Sequence, residues 1–272
     1  MKDFTLAIYC FIDDLLLQTG KNSVDKRRKL NDSQIITAAI LSAKYFYGNQ
    51  SHACAYLKDH WEFNMPDKSN FNRILHRLSD KIICMFYYLS PIIKELNLES
   101  VYIIDSFPVI VCKNIRISRS KILTEEKYRS YNASKREYFY GFKIHVISTA
   151  TGIPVEFLFT AASVHDNTAL QMMDIDLPQN SHLYADSAYL NGDLKDLLLL
   201  DKAIKLKAAT KKNSLEKNTW LQELENKYFR KRIENTFADI NVRFPKKIHA
   251  VTANGFLLKL IIAILTLILD KI

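Results

Sequence analysis

The sequence predicts an α/β protein in two parts: an all-helical region over residues 1–97, then a mixed β-sheet flanked by helices over 98–272. Three observations predict it. Apolar residues recur at helical spacing as far as about residue 89. At Val101 the pattern changes to β-branched and aromatic runs with alternation. Beyond residue 160 short strands and helices take turns, the grammar of a sheet covered by helices.

In the first part, residues 4–18 read as a helix and Gly20 to Lys29 as a basic, polar connection. Asn31-Asp-Ser-Gln34 resembles a capping box that opens an apolar helix, Ile35 to Tyr47, and Gly48-Asn49 closes it. His52 to His60 suggests a third helix. Pro66-Asp-Lys-Ser69 then caps a longer one, Asn70 to Leu89, with Phe71, Ile74, Leu78 and Ile82 on one face. These proportions suit a helix-turn-helix unit offering Lys68, Asn70, Asn72, Arg73 and Arg77 to DNA, and equally a small core that packs or dimerises.

The second part opens on Val101-Tyr-Ile-Ile-Asp105-Ser-Phe-Pro-Val-Ile-Val-Cys112, a buried strand interrupted by a single ionisable group. A carboxylate there needs a partner, because an unpaired buried charge is among the most costly things a core can hold. Lys113 to Glu137 is charged and irregular. Tyr138 to Ile147 alternates, with Lys143 and His145 on one face; Ala150-Thr-Gly152 marks a turn, and Ile153 to Phe159 returns as a strand. Pro154 places that strand at the border of the sheet. Ser163-Val-His165-Asp166-Asn167 leads into a short helix.

His182-Leu-Tyr-Ala-Asp186 is a second strand ending in Asp, followed by a helix over Leu194 to Leu200, a strand over Ala203 to Ala208, and a polar, basic loop at 209–219. A helix then carries Ile233, Phe237, Ile240 and Phe244 as its apolar stripe. Glu234 lies on the flank of that stripe, in line with Arg230. The last apolar run, Phe256 to Leu269, has fourteen residues and contains Lys259. A membrane span needs about 20 apolar residues, so this run is expected to be a buried helix and no membrane partner is expected.

The 272-residue chain has a formal net charge of +9. The charge is concentrated: residues 113–143 carry +6 and 201–250 carry +7, leaving −4 elsewhere. Both basic segments adjoin the acidic strands and helix, as a phosphate backbone would require. Cys10, Cys54, Cys84 and Cys112 form no CxxC pair and read as reduced core thiols of a cytoplasmic protein, and the N-terminus has no secretion signal. There is no glycine-rich phosphate loop and Gly totals 6, which argues against nucleoside triphosphate use. His145 and His165 lack zinc-ligand spacing and are expected to be structural, with His165 and Asp166 in a turn near the site. Trp220, Tyr228 and Phe229 could stack on an unpaired base, but packing against the body is the simpler expectation.

The element order is that of the ribonuclease H-like fold, in which the first and fourth strands are neighbours. That would bring Asp105 and Asp186 together across 81 residues, with Glu234 of the last helix, 48 residues further on, closing an acidic triad. Three carboxylates suit two Mg²⁺ (or Mn²⁺) ions. Asp105 as a hydrogen-bonded core residue, Asp186 as a helix cap and Glu234 as a surface partner of Arg230 are the plainer readings of each alone.

Ile-Asp105-Ser, Tyr-Gly-Phe-Lys143-Ile-His145, Val-His165-Asp166, Tyr-Ala-Asp186-Ser-Ala-Tyr189 and Arg230-x-x-x-Glu234-x-x-Phe237 together resemble the DDE transposases of bacterial insertion sequences, the nine-eighty-two group being nearest in layout. Related families often carry Tyr three residues before the Arg and Lys seven after the Glu; here those positions are Lys227 and Asn241. The resemblance implies metal-dependent cleavage at transposon ends and transfer of the 3′ hydroxyl into target DNA by a homodimer or higher assembly on double-stranded DNA. Asp105, Asp186 and Glu234 would bind the metal, and Lys143, Lys211, Lys212, Arg230, Lys231 and Arg232 would hold the DNA backbone. The rival expectations are a nuclease or resolvase without strand transfer, and an inactive DNA-binding derivative.

Overall fold

The computed structural model describes residues 1–19, 30–132, 136–190, 192–209, 218–243 and 250–272. The chain forms two compact units, one of residues 1–89 with 239–272, the other of residues 90–238.

In the first unit α1 (Lys2–Gln18), α2 (Asp32–Tyr45), α3 (Gln50–Trp61), α4 (Lys68–Arg77) and most of α5 (Ser79–Leu96) are joined by α9 (Ala253–Lys271). The capping box is present at α2: the Asn31 side chain accepts from the Gln34 N–H and the Gln34 side chain accepts from the Asn31 N–H. Gly48, at φ 75°, donates its N–H to the Ser42 carbonyl and ends α2 as the sequence indicates. The helix expected over 70–89 is two. Asp67 caps α4 through the Ser69 and Asn70 N–H groups, and the helix stops at Leu78, before Ser79-Asp80, residue types that favour caps over helix interiors. Its apolar face is as expected, with Phe71, Ile74, Leu78 and Ile82 all buried.

The sequence assigned the C-terminal helix to the sheet region, 98–272; by its contacts α9 belongs with the helical unit instead. The reason lies in α2, whose residues Ile35, Ile36, Ala38, Ala39, Ile40 and Leu41 are all buried. A helix apolar all round needs cover on every side, and α9, with Leu260 to Leu269 buried, supplies one wall. α9 is long and apolar enough by length and composition to cross a membrane, but most of it is buried inside its own unit. An ion pair from Lys44 to Asp270 and the bond from Arg243 to Asp270 at 2.5 Å tie its last turn down.

The second unit is a six-stranded mixed sheet of β1 (Val101–Lys113), β2 (Arg129–Asn132), β3 (Glu137–Thr149), β4 (Pro154–Ala161), β5 (His182–Ala185) and β6 (Lys205–Ala208). The order is β2-β3-β1-β5-β6, with β4 also paired to β3. Helices α6 (Asp166–Met172), α7 (Gly192–Lys202) and α8 (Trp220–Val242) complete it, α8 running on into the first unit. β1 is central, antiparallel to β3 along its length and parallel to β5 over Val101–Ile104 only. β4 pairs with β3 alone, and Pro154 is its first residue, where a missing N–H is tolerated. β1 comes close to β3 at Gly141, where a Cβ would lie 2.2 Å from the Val109 carbonyl oxygen, so only glycine fits. The cysteines, expected in the core, are not buried: Cys10 is exposed and Cys54, Cys84 and Cys112 are half-buried.

Candidate active site

β1 and β5 part company after Ile104 and Ala185, which are register partners. The next residue along each is an aspartate, so Asp105, within β1, and Asp186, at the carboxyl end of β5, stand side by side where the parallel pairing of the two strands stops. Alternation puts Asp105 on the same sheet face as Phe107, and Tyr184 on the same face as Asp186. α8 covers that face: Phe237 packs on Phe107 at 4.7 Å between ring centroids, and Phe229 on Tyr184 at 4.2 Å. Arg230 and Glu234 lie between these two anchors on α8 and are thereby carried to the aspartates.

Arg230 joins the acids. Its guanidinium donates to Asp186 Oδ1 at 3.1 Å and lies 4.0 Å from Glu234 Oε1, one turn along. Asp186 also accepts from the Ser187 N–H at 2.7 Å as cap of a short 3₁₀ turn, Ser187–Tyr189, so the helix-cap reading of this residue holds together with its place beside Asp105. Asp105 accepts from the Ser106 N–H at 2.7 Å. Burial pushes its carboxyl up to about 6; the Ser106 N–H opposes this, the neighbouring Asp186 charge reinforces it, and Arg230 offsets part of the rise.

The two aspartates are brought together as the sequence indicates, whereas Glu234 reaches them through Arg230, its own side chain 64% exposed. Among the described residues no three acidic, His or Cys side chains are disposed to hold a metal directly. The donor set nonetheless fits a hard cation in its chemistry: its atoms are carboxylate oxygens, and Asp105 has the Asp186 charge beside it, which Arg230 offsets in part.

Behind β1, on the opposite face, is a polar cluster that the sequence reading only touched. Asp166 accepts from the Ser106 hydroxyl at 2.8 Å and pairs with Lys143 at 3.2 Å, and Lys143 also donates to the Val164 carbonyl at 2.8 Å. Lys143, expected to hold a DNA phosphate, is here paired with Asp166, because its strand face turns toward the Val164–Asp166 turn. His145 is fully buried between the Tyr189 hydroxyl at 3.1 Å and the Thr160 hydroxyl at 3.0 Å, and burial drives its pKa down to about 4, so it is a neutral structural histidine as expected. Alternation alone placed Lys143 and His145 together; Asp166 and Tyr189 join them only through the tertiary fold.

Of the other cations, Arg232 donates to the Ala150 carbonyl at 2.8 Å and the Tyr228 hydroxyl at 2.6 Å, which ties it to the protein, while Lys231 is exposed. Lys211 and Lys212 lie outside the described residues, as do Phe244 and the connection at 20–29. Trp220 and Tyr228 are exposed rather than packed. A second ion-paired group that sequence reasoning missed joins β5, β6 and α8: the Tyr184 hydroxyl donates to Glu225 at 3.0 Å, and Lys207 donates to that hydroxyl at 2.8 Å.

Residues 95–243, more than half of the chain, match a family model described as Transposase DDE domain. The chain belongs to that family. The matched span opens just ahead of β1 and ends just past α8, so it contains Asp105, Asp186, Arg230 and Glu234 of the transposase. No curated protein and no solved structure matches it.

Proposed function

We propose that this transposase cuts DNA at transposon ends and transfers the 3′ hydroxyl to target DNA from a ribonuclease H-like core, with Asp105, Asp186 and Glu234 as the catalytic carboxylates. The observation that carries the reading is the pair of aspartates side by side where the parallel pairing of β1 and β5 stops, under a helix that bears Arg230 and Glu234. The strand order supports the fold: with β2 set aside as an addition to β3, the remaining strands run third, second, first, fourth, fifth.

Asp105 and Asp186 would hold Mg²⁺ or Mn²⁺, with Glu234 completing the set; two bound ions would supply activation of the attacking oxygen and stabilisation of the leaving one. Arg230, which pairs with Asp186 and lies near Glu234, would be free to hold a phosphate oxygen of the DNA once the carboxylates were occupied by a cation, a bidentate task suited to a guanidinium. Lys231, exposed on the same helix, adds charge along the backbone. The polar cluster of Ser106, Asp166 and Lys143 fixes β1 from behind and so fixes the direction of the Asp105 carboxylate. Transposition requires two ends to be joined, which calls for a dimer or larger assembly on DNA.

The test is a supercoiled plasmid bearing the element's ends. Nicking plus strand-transfer product with Mg²⁺ is expected; nicking without transfer would assign hydrolysis alone, and no metal-dependent cut would leave only DNA binding. Short inverted repeats and a direct duplication flanking the gene would place it within the nine-eighty-two group or another insertion-sequence group.

A further inference from the structure

Beyond the acids, α8 is fastened to the sheet by a ring of three polar side chains from three elements. Tyr184 of β5 and Lys207 of β6 are register partners, so their side chains lie on one face of the sheet. The Tyr184 hydroxyl donates to Glu225 of α8 at 3.0 Å and accepts from Lys207 at 2.8 Å, and Lys207 closes the ring on the same Glu225 oxygen at 3.3 Å. One turn further along α8, Phe229 lies on the Tyr184 ring at 4.2 Å.

The ring adds direction rather than stability. The Glu225 side chain is 48% exposed and that of Lys207 30%, and an ion pair so placed contributes little. The two aromatic stacks that hold α8, Phe229 on Tyr184 and Phe237 on Phe107, are apolar and non-directional; they fix how far the helix stands from the sheet and tolerate sliding along it. A hydrogen bond between two oxygens is confined to about 2.5–3.0 Å and a narrow range of angles, so Glu225 fixes where along the sheet the helix stops. Tyr184 lies two residues before Asp186 in the chain, and Glu225 five before Arg230 on the helix, so the ring sits next to the 3.1 Å contact between Arg230 and Asp186. Sliding or rotation of α8 by a fraction of a turn would break that contact.

We infer that Tyr184, Lys207 and Glu225 are positioning residues for strand cleavage: the ring they close sets the register of α8 on the sheet and thereby holds Arg230 against Asp186. The inference rests on the catalytic reading of Asp186, Arg230 and Glu234, and it gives none of the three ring residues a contact with DNA or metal.

The experiment compares Tyr184→Phe, which keeps the stack on Phe229 and removes the hydroxyl, with Glu225→Ala and Glu225→Gln, in Mg²⁺-dependent nicking of a transposon-end plasmid by the full chain. Tyr184→Phe and Glu225→Ala are expected to lower the maximal rate about 10- to 100-fold, the scale of a misplacement of about 1 Å, with the KM for plasmid unchanged. Glu225→Gln, whose amide oxygen still accepts from the hydroxyl, should keep the rate within about threefold. In the Arg230→Ala background Tyr184→Phe should cost less than about twofold more, because the contact it positions is already gone. Amide hydrogen exchange without metal reads the helix itself: α8 amides over 226–234 should exchange about tenfold faster in Tyr184→Phe and Glu225→Ala, and those of β1 and β3 at the native rate. Melting curves verify folding, and Glu225, exposed on α8, carries the test should Tyr184→Phe unfold. Native nicking or native α8 exchange in the folded variants overturns the inference, as does an equal loss with and without Arg230, which would make the ring a brace and nothing more. Asp186→Asn separates the two readings: nicking retained there would sink the catalytic reading, while α8 exchange would still show whether the ring holds the helix.

Discussion

The two units handle charge in opposite ways. In the sheet unit, acids converge where β1 and β5 separate, partly buried, with one arginine between Asp186 and Glu234. In the helical unit, cations gather along a groove with no Asp or Glu among its described lining residues. The helix surface tolerates a one-signed cluster because long side chains keep their charges in water. The strand ends cannot, so each carboxylate there has a local donor: the Ser106 N–H, the Ser187 N–H or Arg230. A concentration of like charge at a buried strand end is thus the stronger pointer to chemistry, and one on an exposed helix is a pointer to a polymer's charge.

Three substitutions and one pH titration would break or sharpen this contrast. Arg230→Ala should reduce strand cleavage by about 10² to 10³-fold, the usual cost of one transition-state donor, while metal-free duplex affinity falls far less. Isothermal titration with Mn²⁺ should also show tighter cation binding in that variant, because its competitor for the carboxylates is gone; weaker binding would contradict the role given to Arg230.

Gly141→Ala attacks the sheet alone. Its new methyl meets the Val109 carbonyl at 2.2 Å, so β1 and β3 must separate, at a cost of about 2–4 kcal/mol. Thermal unfolding should fall, and protease cleavage within β1 or β3 should appear before cleavage in α2 or α9.

Asp105→Asn sharpens the acidic side. The Asp105 carboxyl is raised above its unfolded value, so the folded protein loses stability as pH climbs from about 4 to about 6. Without divalent cations the Asn variant should be more stable than the native chain at pH 7, by at most about 3 kcal/mol at 1.4 kcal/mol per tenfold in proton affinity. The difference should vanish near pH 4.

The last effect is at His145, whose lowered pKa works the other way. The unfolded chain takes up its proton near 6.5 and the native chain only near 4, so its contribution is present above pH 6.5 and is lost as pH falls toward 4. In native protein the two groups oppose each other across this range and the stability profile is shallow. In Asp105→Asn the acid loss due to His145 should be unmasked, visible by denaturant titration between pH 7 and 4.5.

Much of this arrangement is legible in the sequence because it rests on local rules. Asn31 to Gln34 is a capping box by residue type, Pro154 needs a strand's border, and a lone Asp in a β-branched run marks a site. What escaped depends on tertiary partners. Ser79-Asp80 is a local sign of the break after Leu78 that the continuous apolar stripe overrode, and nothing local says that α9 covers α2 rather than the sheet. Lys143 was read as free because its partner, Asp166, comes 23 residues later in a turn. Arg230 and Glu234 were placed on one helix face correctly, but the arginine's contact with Asp186 spans 44 residues and needs the sheet to form first.

The most direct test of the central claim, that Asp105, Asp186 and Glu234 act as one cation site, is Mg²⁺-dependent nicking of a transposon-end plasmid by the three single Ala variants, each verified as folded and able to bind duplex. The account predicts that each loses at least about 10³-fold in rate, several kcal/mol of transition-state stabilisation. Any one of them cutting at the native rate would contradict it.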